Sequence, residues 1–434
     1  MAARGAPKTS LLSSISPSPA MTSPKKESPR LTKYYLPHAA VVLLGTGAIA
    51  AGYFFIPALS SVSYSGPGAV ASSTPSTPEK PLALHVPRPK ALKAIYMSQC
   101  VVGTPSFRDS LVEFIDQSEL NAVIIDIRDY TGKIAFPTNN PVLADMVSDE
   151  CSARDMKSFL ETLHQKDIFV LGRITVFQNP HYTAAHPEEA VQKKSGGVWK
   201  DRKGLAFVDV GAKPYWDTVV ELGRESYAIG FDELNFDYIR FPSDGNMAEA
   251  DYTWSQGKSK AEALEEFYRY LSEALRPTGA VLSADLFGYV TVHQDDLGIG
   301  QILERGLPYF DYIYPMVYPS HYNSGFAGVK DVNSDPYKIV YASMAPAVAR
   351  EQATTTRLMS FAYSPIASTS PQLYAKPAYY GKVVPWLQSF DYPVDYTPDM
   401  VAAQIKATQD AGVGSYLFWD AGNKYRSLRA VLAQ

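Results

Sequence analysis

Acidic and aromatic side chains recur at the ends of short apolar runs along this 434-residue sequence. The most acidic run is 231–242, FDELNFDYIRFP, and the run at 280–287 carries Asp285 near its end. Cleavage of a glycosidic bond needs one carboxyl group to protonate the leaving oxygen and a second to attack the sugar or to activate water. Aromatic rings suit the faces of sugars. The pattern therefore predicts hydrolysis of a glycan by paired carboxyl groups, with no metal and no cofactor.

The order of side chains along 231–242 indicates which of its acids can react. Successive side chains on a strand alternate between its two faces, so Glu233, Asn235 and Asp237 share one face. An acid at the rim of a barrel is cheaper to keep ionised than an acid buried deep inside it. We therefore expect Asp237 to be the nucleophile or base and Asp285 the general acid, with Glu233 as a third catalytic candidate.

Other polar and aromatic residues at predicted strand ends form a candidate substrate-binding set. Some acids could instead hold the barrel together: Asp126 and Asp129 could form a salt-bridge network with Arg128, and we expect Asp232 to be structural. The two tryptophans of the set could likewise be core residues. The set consists of Asp126, Asp129, Asn235, Arg240, Tyr318, Trp386, Gln388, Trp419 and Asp420.

Short runs of β-branched and aromatic residues alternate with longer helical patterns, which is typical of βαβ units and a parallel sheet. The predicted strands cover 93–102, 122–127, 168–176, 231–241, 280–287, 310–318, 382–390 and 414–419. The predicted helices include 108–118, 153–165, 215–228, 258–275 and 398–411, and Thr397, Pro398 and Gly412 mark the ends of the last one. Eight such strands predict an α/β fold of the (β/α)8 TIM-barrel class, with reacting groups at the carboxyl ends of the strands. The stretch 343–382 is too long for an ordinary connection, and we expect an elaborated loop or insertion there.

Composition and missing motifs disfavour several other classes of protein. The formal net charge of −4 and the isoelectric point near 6.0 provide no basic surface for nucleic acid. The sequence has no GxGxxG or P-loop motif for a nucleotide, no HExxH motif for zinc and no GxSxG elbow for a serine hydrolase. The two cysteines, Cys100 and Cys151, are too few for a disulfide framework or a thiolate metal site, but they could form one disulfide in an exported domain.

The first ninety residues predict a membrane anchor. Residues 39–59 carry no charged side chain and, as a helix, could cross a hydrocarbon core of roughly 30 Å. A cleaved signal peptide and a buried core helix are the alternatives. Basic residues dominate 1–38, which predicts a disordered cytoplasmic tail, and 60–89 is a Ser/Pro-rich linker. We therefore expect a single-pass protein of the cytoplasmic (inner) membrane whose folded domain, 90–434, lies outside the cytoplasm.

Five stretches resemble a bacterial family of unknown function whose members are regarded as glycosyl hydrolases. They are NAVIIDIRDYTGKIAF (121–136), GFDELNFDYIRFP (230–242), FDYIYPMVYPSHY (310–322), VVPWLQSFDY (383–392) and GSYLFWDAGNKY (414–425). The resemblance implies a TIM barrel related to the α-amylase and α-galactosidase-like clans, a carbohydrate substrate and a nucleophile at Asp237. Met316 and Tyr318 also resemble the MxY element of chitinase-like barrels, whereas the chitinase motif DxxDxDxE is incomplete here.

These features together predict a membrane-anchored glycoside hydrolase that cleaves a polysaccharide outside the cytoplasm. Its expected partners are a polysaccharide or oligosaccharide and the membrane, with no nucleic acid. A first alternative is a non-catalytic carbohydrate-binding protein on the same barrel, which an aromatic lining would serve equally well. A second alternative is an envelope assembly protein that recruits partners through its tail and linker.

Overall fold

The structure is a computed structural model that describes residues 83–362 and 381–433. The predicted tail at 1–38, the predicted transmembrane helix at 39–59 and the linker as far as residue 82 lie outside the described residues. Within the described ranges, no helix is both long and apolar enough to cross a membrane.

Eight parallel strands close into a barrel in which each strand pairs with its neighbours in sequence, and the last pairs with the first. The predicted (β/α)8 barrel is therefore confirmed, with strands that are in most cases shorter than predicted. The strands are β1 Lys93–Met97, β2 Ala122–Arg128, β3 Phe169–Thr175, β4 Glu233–Asp237, β5 Val281–Phe287, β6 Tyr312–Met316, β7 Trp386–Gln388 and β8 Tyr416–Trp419. Gln192–Lys193 and Ala250–Asp251 form a small antiparallel pair outside the barrel.

Helices connect the strands and cover the outside of the barrel. Among the described residues they are α1 Gln99–Val102, α2 Pro105–Asp116, α3 Met156–His164, α4 Pro180–Ala185, α5 Lys213–Ile229, α6 Lys260–Leu275, α7 Leu303–Gly306, α8 Pro336–Ala362, α9 Pro398–Asp410 and α10 Arg426–Leu432. Local signals explain several ends. Ser259 and Glu262 form a reciprocal capping box at α6, and the side chain of Thr397 accepts a hydrogen bond from Met400 N at the start of α9, as predicted.

The expectation of a loop or insertion at 343–382 is wrong for its first half. Residues 343–362 belong to the long helix α8, which contains Pro346, while 363–380 lie outside the described residues. Alanine, methionine, arginine and glutamate favour a helix here, and Ile339, Val340 and Met344 are fully buried on its inner face. The Ala/Ser/Pro-rich composition concealed this pattern.

A disulfide joins Cys100 in α1 to Cys151 in the connection after β2, 51 residues later in the sequence. Both cysteines follow barrel strands, so the bond ties together two loops at the carboxyl-terminal face. Such a cross-link stabilises a fold mainly by restricting the unfolded chain. Of the two states that the sequence left open for these cysteines, the structure has the bonded one.

The segment before β1 packs against the amino-terminal face of the barrel, although the sequence assigned it to the linker. His85 Nδ1 and Val86 N contact Asp232 Oδ1 at 3.3 and 3.0 Å. Arg88 Nε donates to Glu233 Oε2 at 3.2 Å, and its guanidinium stacks on the Tyr312 ring at 3.3 Å. The folded domain therefore begins before Lys90, because residues 83–89 satisfy acids that β4 buries.

Replacing Arg88 with Met should lower the free energy of unfolding by about 3 kcal/mol or more, because fully buried Glu233 would lose its cation. The matched control is Arg202→Met, which removes an exposed ion pair with Asp244 and should cost less than about 1 kcal/mol. Denaturant unfolding of the full-length variants measures both values. Adding Glu233→Gln should recover part of the loss; equal effects of Arg88→Met and the control would contradict this role for Arg88.

Candidate active site

A cavity of about 470 Å³ opens at the carboxyl-terminal ends of the barrel strands. This is the face at which TIM barrels carry their reacting groups. Its wall combines two acids and two guanidinium groups with many aromatic rings. The lining residues are Arg173, Asp237, Tyr238, Arg240, Asp285, Phe287, Gly288, Tyr289, Met316, Tyr318, His321, Tyr322, Trp386 and Trp419.

Arg173 on β3 connects the acids of three strands. Its Nη1 donates to Asp126 Oδ1 at 2.6 Å, and its Nη2 and Nε donate to Asp237 Oδ2 at 2.5 and 3.1 Å. Nε also lies 3.8 Å from Asp285 Oδ2. All four side chains are buried, and buried charges of one sign are tolerable when an opposite charge compensates them. Arg173 therefore keeps three acids together in one layer of the barrel.

Asp285 on β5 occupies the least solvated position of this group. Its Oδ1 accepts hydrogen bonds from Asn235 Nδ2 and Trp386 Nε1, both at 2.9 Å. Burial, followed by the negative charge of Asp237, raises the pKa of Asp285 well above its ordinary value. The protonated form of Asp285 is thus favoured relative to an exposed aspartate, and two donors hold the carboxyl in a fixed orientation.

Asp237, the last residue of β4, has the opposite environment. Besides the two bonds from Arg173, its Oδ1 accepts a hydrogen bond from Tyr238 N at 2.5 Å. The chain turns sharply at Tyr238, which has a left-handed φ of 49°, and this turn directs the amide towards the carboxylate. Charge-assisted hydrogen bonds stabilise the carboxylate anion. The two acids of the site therefore differ in their donors: a guanidinium and a backbone amide bind Asp237, whereas a side-chain amide and an indole N–H bind Asp285.

A second cavity, of about 560 Å³, lies on the other side of Trp419 and Arg240 and shares both residues with the first cavity. Asp126 lines it, and burial raises the pKa of this carboxyl to about 6 despite the nearby Arg173. Tyr96 OH donates a hydrogen bond to Asp126. Asp129 also lines this cavity and accepts a hydrogen bond from Gln99 Nε2 at 2.8 Å. The two cavities form adjoining spaces at one face of the barrel.

Most of the sequence-predicted site residues line these two cavities. Asp237, Asp285, Tyr318 and Trp386 line the first, Asp126 and Asp129 the second, and Arg240 and Trp419 both. Asn235 lies beneath the first cavity and positions Asp285. Trp386 combines both roles considered for it, since its ring is almost fully buried while its indole N–H holds the acid.

Besides Asn235, three predicted site residues line neither cavity. Glu233 is on the same strand face as Asp237 but at the opposite end of the barrel, bonded to Arg88 and Tyr314. Gln388 is fully buried and joins loop backbones, accepting from Ser320 N and donating to two carbonyl groups. Asp420 caps a turn through the amides of 422, 424 and 425. Strand parity predicted the face on which Glu233 lies but not its depth in the barrel. Because none of these three residues lines a cavity, we leave them out of the proposed site.

Sequence reasoning missed the residue at the centre of the site. Arg173 is the single charged residue of β3, FVLGRIT, and a lone charge in an otherwise apolar strand was the signal that could have revealed it. The salt-bridge network considered for Arg128 does not form, because this side chain bonds to Thr175 O and Tyr215 OH instead. Tyr96 and Tyr238 were also missed, since tyrosine is common throughout this chain. His321, which lines the first cavity, was missed as well.

One group of described residues has the spacing of metal ligands, His186, Glu188 and Glu189. None of the three lines either cavity. Glu189 is buried and already accepts a hydrogen bond from Tyr182 OH at 3.0 Å. This group therefore takes no part in the site described above.

The fold and the site define a (β/α)8-barrel protein with a two-carboxyl pocket at the face where such barrels do chemistry. A family model described as "Putative glycosyl hydrolase domain" matches residues 94–425, and the chain belongs to that family.

Many solved structures are similar to the chain, including the following two. A hypothetical protein from Ruminiclostridium thermocellum is 31% identical, over 47% of this chain and 98% of that one, with a TM-score of 0.41. The PgaB (BpsB) glycoside hydrolase domain from Bordetella bronchiseptica is 13% identical, over 79% of this chain and 99% of that one, with a TM-score of 0.52, and it shares the barrel fold. No curated protein sequence matches the chain.

Replacing Asp237 with Asn should lower the pKa of Asp285, because a neighbouring negative charge disappears and Arg173 remains. Carbon-13 NMR of full-length protein labelled at aspartate measures this pKa, and the Asp285→Asn variant assigns the signal. Asp395→Asn, at an exposed acid outside both cavities, is the matched control and should leave the pKa unchanged. The same Asp285 pKa in the Asp237→Asn and parent proteins would show that the two carboxyls do not interact.

Proposed function

We propose that this protein is a glycoside hydrolase that cleaves a polysaccharide with Asp285 as the general acid and Asp237 as the nucleophile or base. The observation that carries the proposal is the contrast between these two buried carboxyls on neighbouring strands: Asp237 is bonded directly to the guanidinium of Arg173, whereas burial and the charge of Asp237 raise the pKa of Asp285. Environments that drive two acids into opposite protonation states assign the acid and the base of a reaction. Membership of a family described as glycosyl hydrolases supports the same reaction.

In this mechanism Asp285 donates its proton to the glycosidic oxygen as the bond to the sugar breaks. Asn235 and Trp386 hold the acid in place, and their donors stabilise the carboxylate that remains after proton transfer. Asp237 faces the opposite side of the reacting carbon, as an anion that either attacks this carbon or activates a water molecule. Arg173 contacts both acids and stabilises the negative charge as it moves between them.

The separation of the two acids favours retention of configuration. Asp237 Oδ2 and Asp285 Oδ2 lie 3.1 and 3.8 Å from the same atom, Arg173 Nε. These oxygens are therefore closer than about 7 Å, a bound that includes the roughly 5 Å of retaining enzymes and reaches only the lower end of the inverting range. We accordingly propose that Asp237 attacks the sugar and forms a covalent intermediate.

Aromatic residues of the cavity supply the sugar-binding surfaces in this proposal. Tyr318 lies at its wall with Trp386, and Trp419 is half-buried where the two cavities meet. The ring of Trp419 stacks on Tyr96 with centroids 3.9 Å apart, which fixes its plane. A fixed ring that borders both cavities is suited to contact sugars on either side of the cleaved bond.

The proposed location is the outer side of the cytoplasmic membrane, with residues 39–59 as the anchor. The disulfide between Cys100 and Cys151 supports an oxidising compartment, because such bonds persist mainly outside the cytoplasm. The position of the bond at the rim of the barrel also suits a site that must stay open to a polymer.

Asp237→Asn and Asp285→Asn should each reduce the release of reducing ends from a cleaved polysaccharide by about 10² to 10⁴-fold, the usual contribution of a positioned acid or base. A panel of bacterial and plant polysaccharides incubated with the full-length protein measures this, and thermal melting verifies that each variant is folded. Asp395→Asn should retain full activity. Near-normal turnover by either active-site variant would remove that residue from the mechanism.

The non-catalytic alternative gives a different result in the same experiment. A carbohydrate-binding protein would bind a glycan equally well as parent and as Asp237→Asn, and the parent would release no reducing ends from any polymer.

The activity should decline as the pH rises through the raised pKa of Asp285, because the general acid then loses the proton that it must donate. The pH dependence of kcat/KM for the parent protein shows this alkaline limb. The residual activity of Asp285→Asn should lack it, since its amide does not titrate. An identical alkaline limb in both proteins would assign the titration to another group.

A further inference from the structure

Arg240 is a buried cation that has no acidic partner. Its side chain is 8% exposed and lines both cavities, three residues after the end of β4. Nη1 donates to Phe241 O at 3.0 Å, and no carboxylate of the described residues lies within ion-pair distance of the guanidinium. Burial lowers the pKa of Arg240, while Tyr238, Asp237 and more distant acids raise it. An unpaired buried cation is costly.

The acids nearest to Arg240 already have other partners. Asp237 is bonded to Arg173, Asp244 pairs with Arg202 at 3.1 Å, and Asp201 accepts two backbone amides. Although these acids contribute favourable charge, none of the three forms an ion pair with Arg240.

Other buried arginines of the barrel show how unusual this is. Arg108 and Arg173 each contact a carboxylate. Arg128 has none, but it bonds to Thr175 O and Tyr215 OH and lines neither cavity. Arg240 alone among these four combines a missing counter-ion with direct access to the site.

Aromatic rings hold the guanidinium of Arg240 in a fixed orientation. Its Cζ lies 4.9 Å from the centroid of the Tyr238 ring and 4.7 Å from that of Phe287. Its Nη1 is used by Phe241, while Nε and Nη2 have no protein partner and are not enclosed. These two atoms form the edge of the guanidinium that binds a planar carboxylate through two parallel hydrogen bonds.

The two guanidinium groups of the first cavity differ in their partners. Arg173 contacts Asp126 and Asp237, whereas no carboxylate of the described residues forms an ion pair with Arg240. The charge of Arg240 is therefore the one at this wall with which an anion of the substrate can pair.

We propose that Arg240 binds the carboxylate of a uronic acid in the substrate, next to the bond that is cleaved. This assignment rests on the proposed glycoside hydrolase activity and names its substrate class as an acidic polysaccharide. A sulfate or phosphate ester on a sugar offers the same oxyanion chemistry. The planar edge of the guanidinium, with its two free donors, matches a planar carboxylate, which it can bind through two parallel hydrogen bonds.

The test compares matched ligands by titration of the full-length protein. The probes are methyl glycosides of glucuronic, galacturonic and mannuronic acid, their neutral counterparts from glucose, galactose and mannose, and the 6-sulfate and 6-phosphate of methyl glucoside. The proteins are the parent, Arg240→Gln, Arg240→Lys and the control Lys157→Gln, which removes an exposed cation of α3 that lines neither cavity. Ligand-observed NMR gives the Kd values.

We expect at least one uronate to bind the parent about tenfold or more tightly than its neutral counterpart, as a charge-assisted pair at a buried site would give. Arg240→Gln should abolish this preference while binding of the neutral sugar stays within about threefold. Arg240→Lys should restore part of it, since the charge returns without the planar fork. Lys157→Gln should leave the preference intact because this cation lies outside both cavities and exposed charges are screened.

Several outcomes would overturn the assignment. Equal losses for acidic and neutral sugars in Arg240→Gln, or no uronate preference in the parent, would make Arg240 a general ligand of sugar hydroxyls and leave the hydrolase proposal standing. Tighter binding of the sulfate or phosphate ester than of every uronate would assign the site to that ester instead. Failure of the parent to bind any glycoside would count against the hydrolase proposal as well. If Arg240→Gln melts early, an unchanged preference in Arg240→Lys would itself contradict recognition by a planar fork.

Discussion

The guanidinium of Arg173 is the interaction on which the site depends. Asp126, Asp237 and Asp285 lie in one buried layer of a narrow barrel, where uncompensated negative charges would be costly. One cation contacts all three acids, so their repulsion does not have to be relieved by water or by distortion of the strands. Because Arg173 bonds more closely to Asp237 than to Asp285, the same cation also compensates the two acids unequally.

At the opposite end of the barrel, a residue from outside the sheet compensates a buried acid. Glu233 points inwards from the start of β4, and the cation of the neighbouring strand, Arg173, bonds to other acids; Arg88, from the segment before β1, pairs with Glu233 instead. The barrel interior thus has an ion pair at each end with apolar and aromatic side chains between them, among them Ala94, Ile124 and Leu171. The amino-terminal pair closes its end of the barrel, whereas the carboxyl-terminal group borders a cavity. Because only the second group is accessible, we assign the first to stability and the second to chemistry.

Desolvation has two consequences at the open end. It raises the pKa of Asp285, and it makes the charge of Arg240, which forms no ion pair among the described residues, costly to keep between two cavities. The first consequence suits a reaction that needs an acid, and the second suits a substrate that brings its own negative charge. A neutral polymer could accept the proton of Asp285 but would leave Arg240 without a counter-ion. Binding measurements can therefore distinguish an acidic substrate from a neutral one.

The sequence by itself determined the class of fold, because eight apolar runs separated by helical patterns have few other ways to bury their surfaces. It also placed Asp237, Asp285, Tyr318 and Trp419 at strand ends, since that position follows from order along the chain. Tertiary structure decided the rest. Glu233 lies at the end of the barrel away from both cavities, because strand parity does not define depth. Contacts between strands place Arg173 at the centre of the site and direct the donors of Asn235 and Trp386 to Asp285. The role of Arg88 and the helix α8 were not predicted, because a linker-like composition does not show which residues make contacts in the folded barrel.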